Sequence, residues 1–408
     1  MGPLAGVTVI DLTRALSGPY ATLLLAGLGA TVIKIEEPGA GDVARGNVPY
    51  AGRGGLSRVP VEPDDMSVPF LERGRGKLGV TLNLKHAGAR EVLADLIRGA
   101  DVLVENFSAG TADRLGVGYS WAHSVNPRLV YTSISGSGAT EVGDTKAYDL
   151  ITQALSGLTM TTGSSGEPPV RAGLPFGDAI APLFAVIGTV SALFAAQESG
   201  EGQHVDVSML GALTSMVAIE PWQAYDAVGM SARTGSFLNR LAPFGLFPAK
   251  DGEVAVCAAN DRFFARLPAA IGRPELLEDD RFARRAHRAA NADAIHAIVA
   301  EWTRVRTVEE VVRLLSAADV PAAPVRTPVE AVTDARVRAR GETVALSHPV
   351  YGPVGDVVAS GLPIVFSRDT AEIDGDAPLL GQDNDRVYGT VLGYERERLD
   401  AMAADGLI

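Results

Sequence analysis

A chain of 408 residues is long enough for two or more domains, each with its own core. With 47% hydrophobic and 21% charged residues it has the balance of a soluble globular protein, and a net charge of −13 leaves no global basic field for nucleic acid or an anionic membrane, though a local basic pocket stays open. The single cysteine, Cys257, excludes an internal disulfide and a thiolate metal cluster, and the six histidines are scattered without metal-ligand spacing, so no metal site is expected.

In chain order, VTVIDL (7–12) is a short run of β-branched residues that predicts a strand. PYATLLLAGLGA (19–30) predicts a helix closing in glycines, and TVIKIE (31–36) a second strand. The Gly/Pro-rich stretch NVPYAGRGGLSRVPVEPDDM (47–66) predicts a long loop of the kind that serves as a lid or a partner contact. A strand in GVTLNL (79–84), a helix in AREVLADLIRGA (89–100) and strands in DVLVENF (101–107) and RLVYTSIS (128–135) follow. Strand–helix alternation with near-continuous apolar strands implies an α/β fold with a parallel sheet and helices on its faces.

From Ala179 to Ala196 the chain carries no charge, which is marginally long enough for a bilayer. Pro182, Gly188, Thr189 and Ser191 and the missing basic flank predict a buried helix instead. HVDVSMLGALTSMV (204–217) begins strand-like and turns helical. From about Arg240 the texture changes to a short strand, EVAVCAA (253–259), and amphipathic helices in AIHAIVAEWTRV (294–305) and TVEEVVRLLSAADV (307–320), the latter capped by Thr307. This predicts a smaller α+β domain. A Pro-rich return, VPAAPVRTPVEAV (320–332), leads to a charged helix around ERERLDAMAADG (395–406). The start, MGPLAGVTVIDLTR, has neither a charged leader nor an apolar signal core, so a cytoplasmic chain is expected.

The βαβ opening invites a dinucleotide site, with Glu36 where a ribose-binding acid would stand. The first strand runs into DLTRALSGP rather than G-x-G-x-x-G, however, and no Walker loop, G-x-S-x-G elbow or Cys–His arrangement is present. Basic residues lie in turns beside the early strands: Arg73, Arg75 and Lys77 in LERGRGKLGV, Arg114 in GTADRLG, Lys146 in DTKAYDL. They read either as solvated surface charge or as a convergence on an anionic ligand at one sheet edge. Asp178 in GLPFGDAIAPL (173–183) is open in the same way: an aspartate before an apolar helix is a favoured N-cap, and a carboxylate there also suits catalysis.

Several segments together resemble the class III coenzyme A transferase family, the formyl-CoA transferase and carnitine CoA-transferase group. They are LAGVTVIDLTRALSGPYATLLLAGLGATVIKIEEPGAGD at the start, RGKLGVTLNLK (75–85), ADVLVENFSAGTADRLG (100–116), AYDLITQALSG (147–157), GDAIAPLFAVIG (177–188), GEGQHVDVSMLGA (200–212) and PLLGQDNDRVYGTVLGY (378–394). The resemblance implies a large Rossmann-like domain from 1–220 and 333–408, a small α+β domain at 221–332, and an interlinked homodimer. It implies transfer of CoA from an acyl-CoA to a carboxylic acid, with a CoA thioester as substrate and no resident cofactor or metal.

Residue by residue, the family's catalytic aspartate matches Asp178, which would pass through a mixed anhydride and an aspartyl-CoA thioester, with helix-start N–H groups stabilising the oxyanion. CoA contacts carry over to Leu16, Ser17, Arg75, Lys77, Asn106, Phe107, Arg114, Lys146, Tyr148 and Asp149. Glu37 and Gly74 depart from the family pattern, where a basic residue and an asparagine are usual. The acceptor pocket is expected to draw on 47–66 and on Asn239 to Phe247. The related α-methylacyl-CoA racemases pair their aspartate with a histidine in a G-H-D step; here the step is Ala147-Tyr148-Asp149, and tyrosine is poorly suited to that proton transfer. The alternatives are thus a racemase-type α-proton enzyme or a non-catalytic acyl-CoA-binding protein.

Overall fold

In the computed structural model, which describes residues 1–138, 147–238 and 240–408, the early alternation becomes a six-stranded sheet. β1 (Thr8–Asp11) leads through α1 (Ser17–Gly27) to β2 (Thr31–Glu36). β3 (Tyr50–Gly52), β4 (Gly55–Ser57) and β5 (Met66–Ser67) then pair antiparallel as a small separate sheet. α2 (Val68–Gly74), β6 (Lys77–Thr81), α3 (Ala89–Arg98), β7 (Val102–Glu105), α4 (Thr111–Arg114), α5 (Tyr119–Val125) and β8 (Val130–Ser135) follow. After α6 (Asp149–Leu155) and α7 (Phe176–Ser199) comes β9 (His204–Ser208).

The strand order is β6-β2-β1-β7-β8-β9, and every neighbouring pair is parallel. The strands are mostly apolar because both faces are covered, with buried polar exceptions such as Asp11, Lys34, Glu36 and Lys77 toward the strand ends. Ile10 and Leu12 turn toward Leu93, Leu96 and Ile97 of α3, whereas Val9 packs on the other face with Leu25 of α1 and Ala192 of α7. Since β2 and β6 step away from β1 on one side while β7, β8 and β9 extend on the other, the order reverses between β1 and β7. The crevice outside the carboxyl ends of two such strands is where open α/β sheets take ligands.

Two expectations change. Residues 47–66 are not one long loop: Tyr50 pairs with Ser57 and Ser67, and Tyr50, Ala51 and Met66 are buried. Strands of two or three residues are too short to show alternation, so the turn residues around Gly52 and Gly55 dominated the reading. α7, expected to be buried, is buried on one face only. Gly177, Ala181, Ala185, Thr189, Ala192 and Ala196 form that face, and Thr189 Oγ1 hydrogen-bonds Thr132 Oγ1 on β8 at 2.7 Å. On the outer face Ile187 is 62% and Phe194 67% exposed. By length and composition alone this helix would also suffice to cross a membrane.

Contacts divide the chain into two compact units, one of Met1–Ser156, Gly173–Met216 and Val332–Ile408, the other of Gly157–Ala172 and Val217–Ala331. The first contains the six-stranded sheet. In the second, β10 (Phe244–Pro248), β11 (Glu253–Cys257) and β12 (Ala322–Pro324) pair antiparallel, and Phe247, Val254 and Val256 form a core with Ile295, Val299, Val311 and Leu315 from two helices. The helix Val308–Ala317 starts with the expected capping box, in which Thr307 Oγ1 accepts the Glu310 N–H and the Glu310 carboxylate accepts the Thr307 N–H.

Candidate active site

The loop from β1 to α1 crosses the carboxyl edge of the sheet, and side chains from three other segments hold its backbone. Asn106 Oδ1 accepts the Arg14 N–H at 2.9 Å and Asn106 Nδ2 donates to the Arg14 carbonyl at 2.8 Å. Asp42 Oδ1 accepts the Ala15 N–H at 2.9 Å, and Arg73 Nε donates to the Ala15 carbonyl at 3.1 Å. Ala15 stands at φ 68. A left-handed conformation costs a residue with a Cβ about 1 kcal/mol or more, and here both polar groups of the residue are bound, which holds it. In the first turn of α1, Gly18 lies so close to Thr13 that a Cβ would overlap it.

Under this loop lies a buried charge network. Lys77 Nζ contacts Asp11 Oδ2 at 3.1 Å and donates to the Pro19 carbonyl and Thr22 Oγ1 at 2.9 and 2.7 Å. Lys34 Nζ pairs with Asp42 Oδ2 at 2.8 Å. Burial pushes Asp11 up, but the charges of Lys77 and Lys34 outweigh it and leave the carboxyl at about 2, whereas at Lys77 burial outweighs the Asp11 charge and brings the ammonium down to about 8. At neutral pH the pair is therefore ionised. Arg75 is also buried, its Nη2 donating to the Ser360 carbonyl at 2.6 Å.

Asp178 is the third residue of α7, not its cap; Pro175 holds the cap position and supplies no side-chain bond. The capping is done from a distance by Asp149 at the start of α6. Its Oδ1 accepts the Gly177 N–H at 2.7 Å and the Asp178 N–H at 3.4 Å, and its Oδ2 accepts from Gln153 Nε2 at 2.6 Å. The N–H groups expected to serve an oxyanion at the start of α7 are thus occupied. Freed from capping, the Asp178 carboxylate makes no hydrogen bond among the described residues. Burial first and the Asp149 charge second push it up to about 6, against the opposing charge of Arg73.

Asp178 opens onto a cleft of about 450 Å³ that Leu16, Ser17, Asn106, Phe107, Tyr148 and Asp149 also line. A second cavity of about 250 Å³ adjoins it, sharing Arg14, Val43 and Phe107, with Leu82, Lys85 and Leu115 beyond. Both lie at the strand-order reversal. α1 begins on the cleft wall at Ser17 without a side-chain cap, so its first N–H groups lack a partner of that kind. The buried Ser17 hydroxyl has no hydrogen-bond partner among the described residues either.

Of the residues expected to contact CoA, the structure brings Leu16, Ser17, Asn106, Phe107, Tyr148 and Asp149 together with Asp178. It does not bring Arg75 and Lys77 there, because their donors are taken up inside the sheet and at Ser360. Arg114 is exposed on α4, donating to Thr111 Oγ1 at 2.6 Å. Lys146 and Asn239 fall outside the described residues. One cation of the cleft was not named from the sequence: Arg14, whose guanidinium lies 5.1 Å from the Phe107 ring centroid. Arg73, which was named, donates to the Ala15 carbonyl from outside the cleft lining. Arg14 follows the end of β1 by three residues, and that position was the available signal.

Residues 4–384 match the family model described as CoA-transferase family III. The chain is 38% identical to an acetyl-CoA:oxalate CoA-transferase of Acetobacter aceti, over 88% of this chain and 90% of that one. It is 34% identical to a succinyl-CoA:mesaconate CoA-transferase of Haloarcula marismortui, over 94% of each. Among solved structures, a CaiB/BaiF family protein from Brucella suis matches with a TM-score of 0.80 at 31% identity, covering 96% of this chain and 99% of that one.

Proposed function

The chain belongs to CoA-transferase family III and is a class III CoA-transferase, and we propose that it carries the acyl exchange on Asp178. The observation that carries this reading is a half-buried carboxylate, without a hydrogen-bond partner among the described residues, in a cleft at the switch point of the sheet. A carboxyl at about 6 is ionised at neutral pH, yet more basic than an ordinary aspartate, which suits a nucleophile.

The Asp178 carboxylate attacks the thioester carbonyl of the donor, the C–S bond breaks, and a mixed anhydride and CoA thiolate result. The thiolate attacks the aspartyl carbonyl, releasing the donor's acid and leaving an aspartyl-CoA thioester. The acceptor carboxylate attacks that thioester, giving a new anhydride, and the thiolate then takes the acceptor's acyl group and frees Asp178. Each step exchanges one activated acyl bond for another, so the free energy of the thioester is kept as long as water stays out. Met209, Ile134 and Phe107 supply apolar wall. The uncapped start of α1 offers N–H donors for the oxyanion, in the place of α7, whose first N–H groups Asp149 holds.

We place the nucleotide of CoA in the adjoining cavity, with Phe107 between the two chambers and the pantetheine passing Leu16 and Asn106. Arg75 and Lys77 then support the fold rather than the ligand. The acceptors in the relatives' names, oxalate and mesaconate, support a short carboxylic acid here. We further propose a homodimer in which a second copy covers the outer face of α7, including Ile187 and Phe194.

Incubation with donor acyl-CoA followed by borohydride or hydroxylamine should modify Asp178, as read by peptide mass spectrometry. Normal transfer by Asp178→Ala would overturn the mechanism. Solvent deuterium entering Cα of a 2-methylacyl-CoA without any acceptor acid would instead favour α-proton chemistry.

A further inference from the structure

Asp149 holds the start of α7, and Gln153 in turn holds Asp149. Gln153 lies one turn further along α6 and is fully buried. Its Nε2 donates to Asp149 Oδ2 at 2.6 Å and to the Leu174 carbonyl at 3.0 Å. An amide nitrogen carries two hydrogens in one plane, so both are used. One goes to the carboxylate that caps α7, the other to the backbone segment that leads into it. There is no slack where the two helices meet: a Cβ on Gly177 would come within 2.6 Å of Thr152 Oγ1 and 3.1 Å of Asp149 Oδ1.

Without Gln153 the Asp149 carboxylate is free to turn about its side-chain bonds. Oδ1 then loses its fixed place under the Gly177 and Asp178 N–H groups. The residue type matters as well. A lysine would orient Asp149 too, but its charge would cancel the one that Asp149 brings to the site, and a carboxylate would repel it. Glutamine donates twice from this distance and adds no charge. We propose that Gln153 is a positioning residue for the transfer: it fixes Asp149 and the entry to α7 together, and so fixes where the Asp178 carboxylate stands in the cleft. The inference rests on the reading of Asp178 as nucleophile. A misplacement of about 1 Å in a reacting group can cost about a hundredfold in rate. The CoA contacts proposed at Leu16, Asn106 and Phe107 come from other elements of the cleft, so donor binding does not depend on Gln153.

The test follows the labelling of Asp178 by whichever of acetyl-CoA or succinyl-CoA the wild type accepts, with borohydride quenching and peptide mass spectrometry. Gln153→Met keeps the length of the side chain but loses both donors. Its labelling rate at saturating donor falls about 10- to 100-fold, while the donor concentration for half-maximal rate stays within about twofold of the wild type. Gln153→Glu restores a donor only while it holds a proton. Two carboxyl groups this close in a buried place share one proton at neutral pH and lose it in mild alkali. The rate of Gln153→Glu, as a ratio to wild type, therefore recovers part of the loss at about pH 7 and falls to the level of Gln153→Met at about pH 9. The charges that act on Asp178 from the packed elements are Asp149 on α6 and Arg73 on α2, and the ratio to wild type removes their common effect. A role in packing alone would not follow pH, so equal rates for the two variants at both pH values overturn the inference. A wild-type rate in Gln153→Met overturns it too, with the nucleophile reading intact. If Gln153→Met does not fold, the pH course of Gln153→Glu decides alone. A wild type that neither donor labels at Asp178 overturns the nucleophile reading, and the inference with it.

Discussion

The Asp149 carboxylate caps the helix that carries Asp178, accepting the Gly177 N–H at 2.7 Å and the Asp178 N–H at 3.4 Å across a separation of 28 and 29 residues. One acid therefore does the capping that the sequence left open to the other, and its charge also helps keep the second carboxyl basic. Position and reactivity of Asp178 are coupled through a single side chain.

Asp149→Asn tests this coupling. The amide oxygen still accepts the N–H groups, so the helix start survives, but the negative charge is gone. With only burial left to raise it, the Asp178 carboxyl falls from about 6 toward its ordinary range, and the acid limb of the kcat/KM profile moves to lower pH. Asp149→Ala removes the cap as well and costs about 1 kcal/mol in denaturant unfolding. An acid limb that stays in place in Asp149→Asn would mean that burial alone sets the value.

Asp178→Asn should lower kcat by about a thousandfold or more while stabilising the fold. The sign follows from the shift. The folded pKa of about 6 exceeds the usual 3.8, so the native state binds the proton more tightly, and the wild type loses stability as pH rises between those values. The variant's gain in melting temperature is then full above about pH 6 and absent below about pH 4, which thermal scans at pH 8 and pH 4 read directly. Equal gains at both pH values would point to packing instead of charge.

Lys77→Met addresses whether this lysine serves the coenzyme or the core. Removing it leaves Asp11 buried with one fewer cation, and breaking a buried pair costs about 3–5 kcal/mol. The expected result is a large drop in the urea midpoint. A stable variant with a raised KM for acyl-CoA would return Lys77 to the ligand.

Replacement of Ile187 or Phe194 by Asp on the outer face of α7 should shift the protein from dimer to monomer in light scattering, since an isolated charge in an apolar contact is not tolerated. If the wild type is monomeric at micromolar concentration, the proposed pairing is wrong.

The sequence by itself determined the strands and helices of the parallel sheet. TVIKIE became β2 at the same bounds, and the strands at 101–107 and 128–135 enclose β7 and β8, because strands covered on both faces are rich in β-branched and apolar residues even where a few polar groups are buried among them. The GD step, the VENF step and the turn after β1 were also legible, each being local, and the structure gathers their residues in one cleft.

What only the tertiary structure decided is where long side chains end and which groups meet across the chain. Lysine and arginine carry enough apolar stem to point either way, and whether Lys77 faces solvent, ligand or core depends on Asp11, 66 residues earlier. The cap on α7 and the grip of Arg73 on Ala15, across 58 residues, are likewise set by strand order. A spacing pattern records the period of a helix or strand, not the neighbours that sheet topology brings to its ends; burial, partner and pKa are properties of that assembled neighbourhood.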